Sequence, residues 1–345
     1  MKGAGKQPEK GHLPMKALIL GLAAVAVAGC ATASEPDRLA YHLIPGSFVA
    51  DRGPDGNSVF LDSPDGLVLV DTGRHPAHRD KLLAYAQSRG LPIVAVVNTH
   101  WHLDHSTNNA DIRAVYPRSE LYATNAIDGA LAGFFPRSRE LAQRHLDSGR
   151  ATPEQRAEIR RAFDVMDHPQ SLRPTRPVVR SAEHEIGGRR FRINVASFAA
   201  TEADLWMHDP QIGLVIAGDL VVAPVPFMDT ACPEGWRRAL DELAATEFDI
   251  LIPGHGDIMS KARFLTWRSA FNNLLDCAAS ARERQSCVDG WLRDAGMFIE
   301  AGDERRIGGA VGYYLDTRLR ASPVERRRYC SPGNLTSNRA LRRTN

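Results

Sequence analysis

Thr99-His100-Trp101-His102-Leu103-Asp104-His105 places three histidines and one aspartate within six consecutive positions of a 345-residue chain. Imidazole nitrogens and carboxylate oxygens at that density suit zinc, a borderline-soft divalent cation. The residues leading into it, Ile93-Val94-Ala95-Val96-Val97-Asn98-Thr99, are largely β-branched, which predicts a buried strand over 93–99. His100 and His102 then leave the strand end on one side, with Asp104 and His105 in the loop beyond, so the two pairs can face two neighbouring metal positions. The alternative, a polar loop of unpaired histidines, is disfavoured by ligand-bearing turns elsewhere in the chain.

Those turns recur at strand ends. Ser58 to Leu61 and Leu67 to Val70, joined by Ser63-Pro64-Asp65-Gly66, read as a hairpin whose second strand ends at Asp71-Thr72-Gly73. A helix from Ala77 to Ser88, stopped at Gly90, leads to the strand before the histidines, and this strand-helix-strand step predicts a packed α/β body. Strands resume at Val178 to Arg180, His184 to Ile186, Phe191 to Val195, Leu205 to Met207 and Gly213 to Ala217, with a hairpin turn at Gly187-Gly188. The last of these ends in Gly218-Asp219-Leu220. A helix from Glu234 to Ala245 then precedes Ile250-Leu251-Ile252, which ends at Pro253-Gly254-His255-Gly256. Strand ends carrying Asp71, His100 to His105, Asp219 and His255 are where α/β folds gather their sites.

Two regions read differently. Residues 126–174 form a helical insertion: Thr152-Pro153-Glu154-Gln155 has the capping-box form, and Ile159, Phe163 and Met166 share one helix face. Phe134, Phe135 and Met166 are placed in ordinary packing, with the lining of a substrate cleft as the alternative. Residues 261–330 form a helical C-terminal extension with a stripe of Phe264, Trp267, Phe271, Leu274 and Leu275. Residues 331–345 are a basic tail, and no internal repeat of fixed period is present.

These motifs resemble the metallo-β-lactamase superfamily and occur in that family's order from about Tyr41 to Ile258. The resemblance implies an αβ/βα sandwich spanning residues 41–260. It assigns His100 and His102 to a first metal position, and Asp104, His105 and His255 to a second. Asp219 matches a carboxylate that bridges the two. Asp71, Thr201 and Asp204 match residues that support the site without binding metal. One ligand is missing: aligned on Thr201 and Asp204, Phe198-Ala199-Ala200-Thr201-Glu202-Ala203-Asp204 puts Ala200 where the family has a histidine. The expectation is one firmly held zinc and a second position that is weak, absent or differently supplied. Glu202, His184 and His208 are the side chains near enough in sequence to compensate, each read first as a surface or packing residue. With one metal the chemistry still operates, through a metal-activated water oriented or deprotonated by Asp104, while His100 and His102, where not ligands, donate hydrogen bonds to the intermediate.

Composition bounds the rest. Charged residues make up 24% of the chain and the formal charge is +2, with no aromatic-interleaved basic patch, so nucleic-acid binding has no support. The apolar run Ala17 to Gly29 behind Lys16 is short for a membrane span and fits a signal peptide over residues 1–30, with Met15 an alternative start. Val27-Ala28-Gly29-Cys30 resembles a bacterial lipobox, making Cys30 the candidate lipidation site, with ordinary cleavage near Ala33 as the alternative and a linker over 31–40. Cys232, Cys277, Cys287 and Cys330 remain, an even number consistent with an oxidising compartment. Cys277 with Cys287 and Cys232 with Cys330 is one of three open connectivities, and a metal-ligand role for Cys232 is the alternative.

The chain therefore reads as an exported, periplasmic or lipid-anchored, zinc-dependent hydrolase acting on a small molecule: an ester, lactone, thioester or amide, with β-lactams included. A metal- or ligand-binding accessory protein that has lost catalysis with its third histidine is the alternative, and the chain also resembles exported family members associated with quinoprotein oxidation systems.

Overall fold

The computed structural model describes residues 41–48 and 52–331. The signal peptide, Cys30, the linker and all but the first residue of the basic tail lie outside the described residues. Alternation along the strands builds the architecture. β1 (Tyr41–Ile44), β2 (Ser58–Ser63), β3 (Gly66–Val70), β4 (Ile93–Val97), β5 (Glu120–Ala123) and β6 (Arg176–Pro177) pair in that order, and in the central strands β2 to β4 alternate residues bury on opposite faces, while both residues of β6 are exposed. Val59, Leu61, Val68, Val70 and Val97 point to one core, and Phe60, Leu67, Leu69 and Val96 to another.

The second sheet has the order β12-β11-β10-β9-β8-β7, with β7 (Ala182–Ile186), β8 (Arg189–Ser197), β9 (Ala203–Asp209), β10 (Leu214–Val222), β11 (Ile250–His255) and β12 (Met259–Ser260). Its inner face supplies Phe191, Ile193, Leu205, Met207, Ile216 and Ile252 to the core shared with the first sheet. Helices α1 (Pro76–Arg89), α2 (Leu103–Ser106) and α3 (Asn109–Val115) follow β3 and β4, and Leu82, Ala86 and Ile112 close the outer core of the first sheet. The insertion between β5 and β6 comprises α4 (Ile127–Ala132), α5 (Phe134–Asp147) and α6 (Pro153–Asp167), the last with a complete Thr152–Gln155 capping box. Helices α7 (Pro233–Ala245), α8 (Lys261–Ala279), α9 (Arg284–Asp294), α10 (Glu304–Tyr314) and α11 (Pro323–Arg326) complete the chain. Trp236, Phe264, Trp267, Phe271, Trp291 and Ile307 form one core on the outer face of the second sheet, so the C-terminal extension shares its apolar interior with that sheet. The result is the expected αβ/βα sandwich.

Four local expectations change. Strand β4 stops at Val97, because the Asp71 carboxylate takes the Thr99 N–H at 2.8 Å. Asp104 and His105 lie in the one-turn helix α2 instead of a loop, fixed by the His105 N–H to the His102 carbonyl at 3.0 Å. No strand covers 178–180. The strand is confined to Arg176–Pro177, where proline lacks a ladder N–H, and beyond it the Val178 N–H, to the Ala123 carbonyl at 2.9 Å, extends the link to β5. Finally β10 does not end before Asp219 but runs to Val222 through register shifts around Gly218, so Asp219 projects from an irregularity within the strand.

Candidate metal centre

Parallel pairing of β3 with β4 and of β10 with β11 brings their C-terminal ends to one edge of the sandwich, and every candidate ligand sits there. Gly218 has φ 52°, and a Cβ on it would stand 2.6 Å from the Thr99 Cβ. Only glycine lets the Asp219 backbone come this close to the histidine strand. Gly56 plays the same part against His105, whose ring a Cβ would meet at 2.3 Å.

Two groups converge. His100, His102 and Asp219 form one, and Asp104, His105 and His255 the other. Asp219 joins them: one oxygen lies 3.6 Å from His100 Nε2, while the other lies 3.1 Å from His105 Nε2 and 3.5 Å from His255 Nε2. His255 Nε2 is 3.2 Å from Asp104 Oδ2 and 3.2 Å from His105 Nε2. All six side chains are buried or nearly so. His100 Nε2 and both Asp219 carboxylate oxygens are buried with no hydrogen-bond partner.

Hydrogen bonds on the far side of the rings set the tautomers. His105 Nδ1 lies 2.8 Å from Asp71 Oδ2, and an aspartate can only accept, so Nδ1 carries the proton and Nε2 presents a lone pair. Thr99 donates its hydroxyl to Asp71 at 2.7 Å and so must accept from His100 Nδ1 at 3.0 Å, which frees His100 Nε2 in the same way. Thr230 repeats the logic for His102. Its single hydrogen goes to the Ala200 carbonyl at 2.8 Å, so it accepts from His102 Nε2 at 2.9 Å and leaves Nδ1 as the donor atom. Lone pairs and carboxylate oxygens thus face one another across short gaps, an arrangement that is repulsive alone and is relieved by cations. The residues fit a metal centre.

Electrostatics divide the histidines. Burial and the neighbouring His105 hold His100 well below the ordinary histidine pKa, the neutral form that ligates. Burial pulls His105 down too, but Asp219 and Asp71 outweigh it and hold it well above its usual value, so a bound cation would have to displace a proton from Nε2. Burial pushes Asp104 and Asp219 up, yet neighbouring histidines, with Arg74 beside Asp104, keep both ionised.

The supporting residues lie as follows. Asp71 is 2% exposed, adopts φ 58°, and holds Thr99 and His105 from behind. Thr201 donates its N–H and hydroxyl to Asp204, tying the loop that carries Ala200, and burial raises Asp204 to about 7. Ala200 is buried and reaches the ligands only through Thr230. Glu202 accepts from the Trp101 indole at 2.8 Å. Neither Glu202 nor His184 nor His208 belongs to a metal-compatible group among the described residues. Disulfides join Cys232 to Cys330 and Cys277 to Cys287, so Cys232 is not a metal ligand. Thr230 escaped sequence reasoning because it lies 30 positions from Ala200 and 128 from His102, in no motif.

A cavity of about 570 Å³ opens onto His102 and Asp104. Phe134, Phe135 and Met166 line it, and all three also take the ordinary packing role: Phe135, 3% exposed, is in a core with Trp101 and Val165, and Phe134 and Met166 pack against that core.

Comparison with known proteins follows the geometry. Residues 51–255 match the family model described as "Metallo-beta-lactamase superfamily". A linear primary-alkylsulfatase from Pseudomonas sp. (strain ATCC 19151) is 25% identical over 224 residues, 58% of this chain and 41% of that protein, so the chain spans about two fifths of that relative's length. Among solved structures, a metallo-beta-lactamase family protein from Thermus thermophilus is similar at TM-score 0.53 and 16% identity, covering 80% of this chain and 93% of that one. A metallo-beta-lactamase from Pontibacter korlensis gives 0.49 at 15% identity, over 70% of this chain and 97% of its own. At these identities the structures speak to fold alone.

Proposed function

Because the chain belongs to the metallo-β-lactamase superfamily, we propose that it is a zinc-dependent hydrolase whose metal is held by His100, His102, Asp104, His105, Asp219 and His255 and whose substrate carries an ester-type bond: ester, lactone, thioester or amide. The observation that carries this reading is the set of ring nitrogens that Asp71, Thr99 and Thr230 turn inward, gathered with the buried Asp219 carboxylate. Zinc bound there supplies a water of lowered pKa and polarises the bond under attack. Asp104 lines the cavity, and its carboxylate can orient that water and accept its proton. Arg74, 3.7 Å from Asp104 Oδ1, offsets negative charge at the same edge. For a carboxylic ester the balance is simple: water adds OH to the acyl carbon, the bond to the alkoxy oxygen breaks, and a proton passes to the departing alcohol.

The proposal extends to location. An exported protein, periplasmic or lipid-anchored at Cys30, is supported by the apolar run Ala17 to Gly29 and by two disulfides of a kind that persists outside the cytoplasm.

The test pairs metal content with turnover. The purified chain is assayed for zinc by mass spectrometry and for hydrolysis of 4-nitrophenyl esters, a thioester, a lactone and nitrocefin, with an alkyl sulfate added because a relative bears the name alkylsulfatase. Hydrolysis of at least one class, lost on dialysis against dipicolinate and restored by zinc, is expected. Turnover that survives complete metal removal overturns the mechanism. Zinc bound without turnover of any class instead favours the accessory binding protein, the reading that the alanine at position 200 keeps open.

A further inference from the structure

The helical insertion leaves apolar surface that the fold does not cover. α6 has 15 residues, yet only Val165 on it is buried. Ile159, Phe163 and Met166, on one face at i, i+4 and i+7, stay half-buried around the cavity, and Phe134 of α5 does the same. Trp101 forms the floor, with its ring 5.1 Å from that of Phe134, and Phe227 on the opposite side stands 5.1 Å from the ring of His255. The apolar wall is therefore continuous with the metal-ligating side chains.

The insertion is also held in place. His75 is sandwiched between Asp55 at 2.7 Å and Glu158 of α6 at 2.6 Å, Arg52 pairs with Glu158, and Arg161 bonds Asp111 and Asn108 at 2.6 and 2.7 Å. The charged residues of the wall are thus committed to protein partners. Arg74 sits at the metal end, with its guanidinium 3.7 Å from Asp104 Oδ1. Polar groups at one end and hydrocarbon walls at the other describe a site for an amphiphile. A volume of about 570 Å³ exceeds what a short acyl group fills, and water left in it would wet four half-buried apolar side chains.

We propose that this cavity binds the hydrocarbon chain of the substrate, making the protein a hydrolase of medium-chain amphiphilic esters whose scissile bond lies at His102 and Asp104. The proposal rests on the hydrolase reading and names its substrate class. For the zinc-loaded protein, kcat/KM on 4-nitrophenyl acetate, butyrate, hexanoate and octanoate rises by about fourfold per added methylene, the gain from removing a CH₂ from water. Ile159→Glu places a charge in the wall and flattens the series. Ala162→Trp, at another lining position, fills space and moves the optimum to shorter chains, a change in shape of the series that misfolding does not imitate. Calorimetry on the same protein shows octanoate binding more tightly than butyrate. Hydrolysis with no dependence on chain length, together with equal binding of octanoate and butyrate, overturns the cavity assignment and leaves the hydrolase reading standing. Tighter octanoate binding with no turnover of any ester, thioester, lactone, alkyl sulfate or nitrocefin keeps the cavity and overturns the hydrolase reading.

Discussion

At the scale of single residues, the candidate centre depends on groups that are not themselves candidate ligands. Asp71, Thr99 and Thr230 decide which nitrogen of each ring is free, and Thr230 does so from within the gap that Ala200 leaves. Removing such a support typically costs 10–100-fold in metal affinity. Thr230→Val keeps the shape and deletes the acceptor, so His102 loses its preference for a free Nδ1. We expect zinc affinity of the first position to fall by roughly 10-fold or more, read by competition with a chromogenic chelator, while Thr230→Ser restores it. Equal affinities in the valine and serine variants would show that the hydroxyl does not set the ring. The Thr99 to His105 motif, Asp219 and His255 were legible in the sequence because chemistry this dense is rare outside metal sites. Thr230 was not, since a lone threonine signals nothing until folding places it beside His102.

At the scale of elements, the segment carrying Thr230 is held by the C-terminal extension. Arg318, past the end of α10, donates to the Met228 and Ala231 carbonyls at 3.0 Å each. The Tyr314 hydroxyl donates to Asp229 at 2.9 Å, Trp291 of α9 donates to the Pro224 carbonyl at 3.2 Å, and the Cys232–Cys330 disulfide closes the end. The extension reads in sequence as a plain helical stripe, and the stripe is real: Phe264, Trp267 and Phe271 are fully buried. Its grip on the metal-site loop was illegible because it is made by polar tips reaching backbone carbonyls, which no periodicity encodes. Arg318→Ala leaves two carbonyls without their charged donor, and at about 1.5–3 kcal/mol for a bond to a charged group it should destabilise the fold by a few kcal/mol. The same variant should loosen zinc at the first position, whereas Arg293→Ala, which removes an ion pair with the adjacent Asp294 on the surface, should change neither. Thermal melts and zinc titration of both variants check this. A lower melting temperature with unchanged zinc affinity would mean that the extension supports the fold alone.

At the scale of the whole molecule, the ligands come from both halves of the sandwich. His100, His102, Asp104 and His105 follow β4 of the first sheet, while Asp219 and His255 belong to β10 and β11 of the second. The β-branched runs made both sheets readable, yet the sequence placed Asp219 at a strand end. A register shift at Gly218 cannot be seen without the neighbouring strand that it accommodates. A bound metal would therefore add a cross-link between sheets that also meet through a shared apolar core and through hydrogen bonds such as that of the Asn57 N–H to the Gly254 carbonyl at 2.7 Å. Without it, the buried Asp219 oxygens lack a well-formed hydrogen bond and rest on the histidines alone, and burial of poorly paired polar groups costs stability. Metal that binds only the folded state adds RT ln(1 + [L]/Kd), about 4 kcal/mol when free zinc exceeds its dissociation constant 1,000-fold. Removal of zinc should lower the melting temperature by several degrees and raise hydrogen exchange at 96–105 and 214–222 together, because one link serves both sheets. Zinc should reverse both effects and magnesium should not, since imidazole nitrogens do not suit a hard cation. Exchange that rises on one sheet only, in protein shown to be free of metal, would place the metal within one half and refute the cross-link.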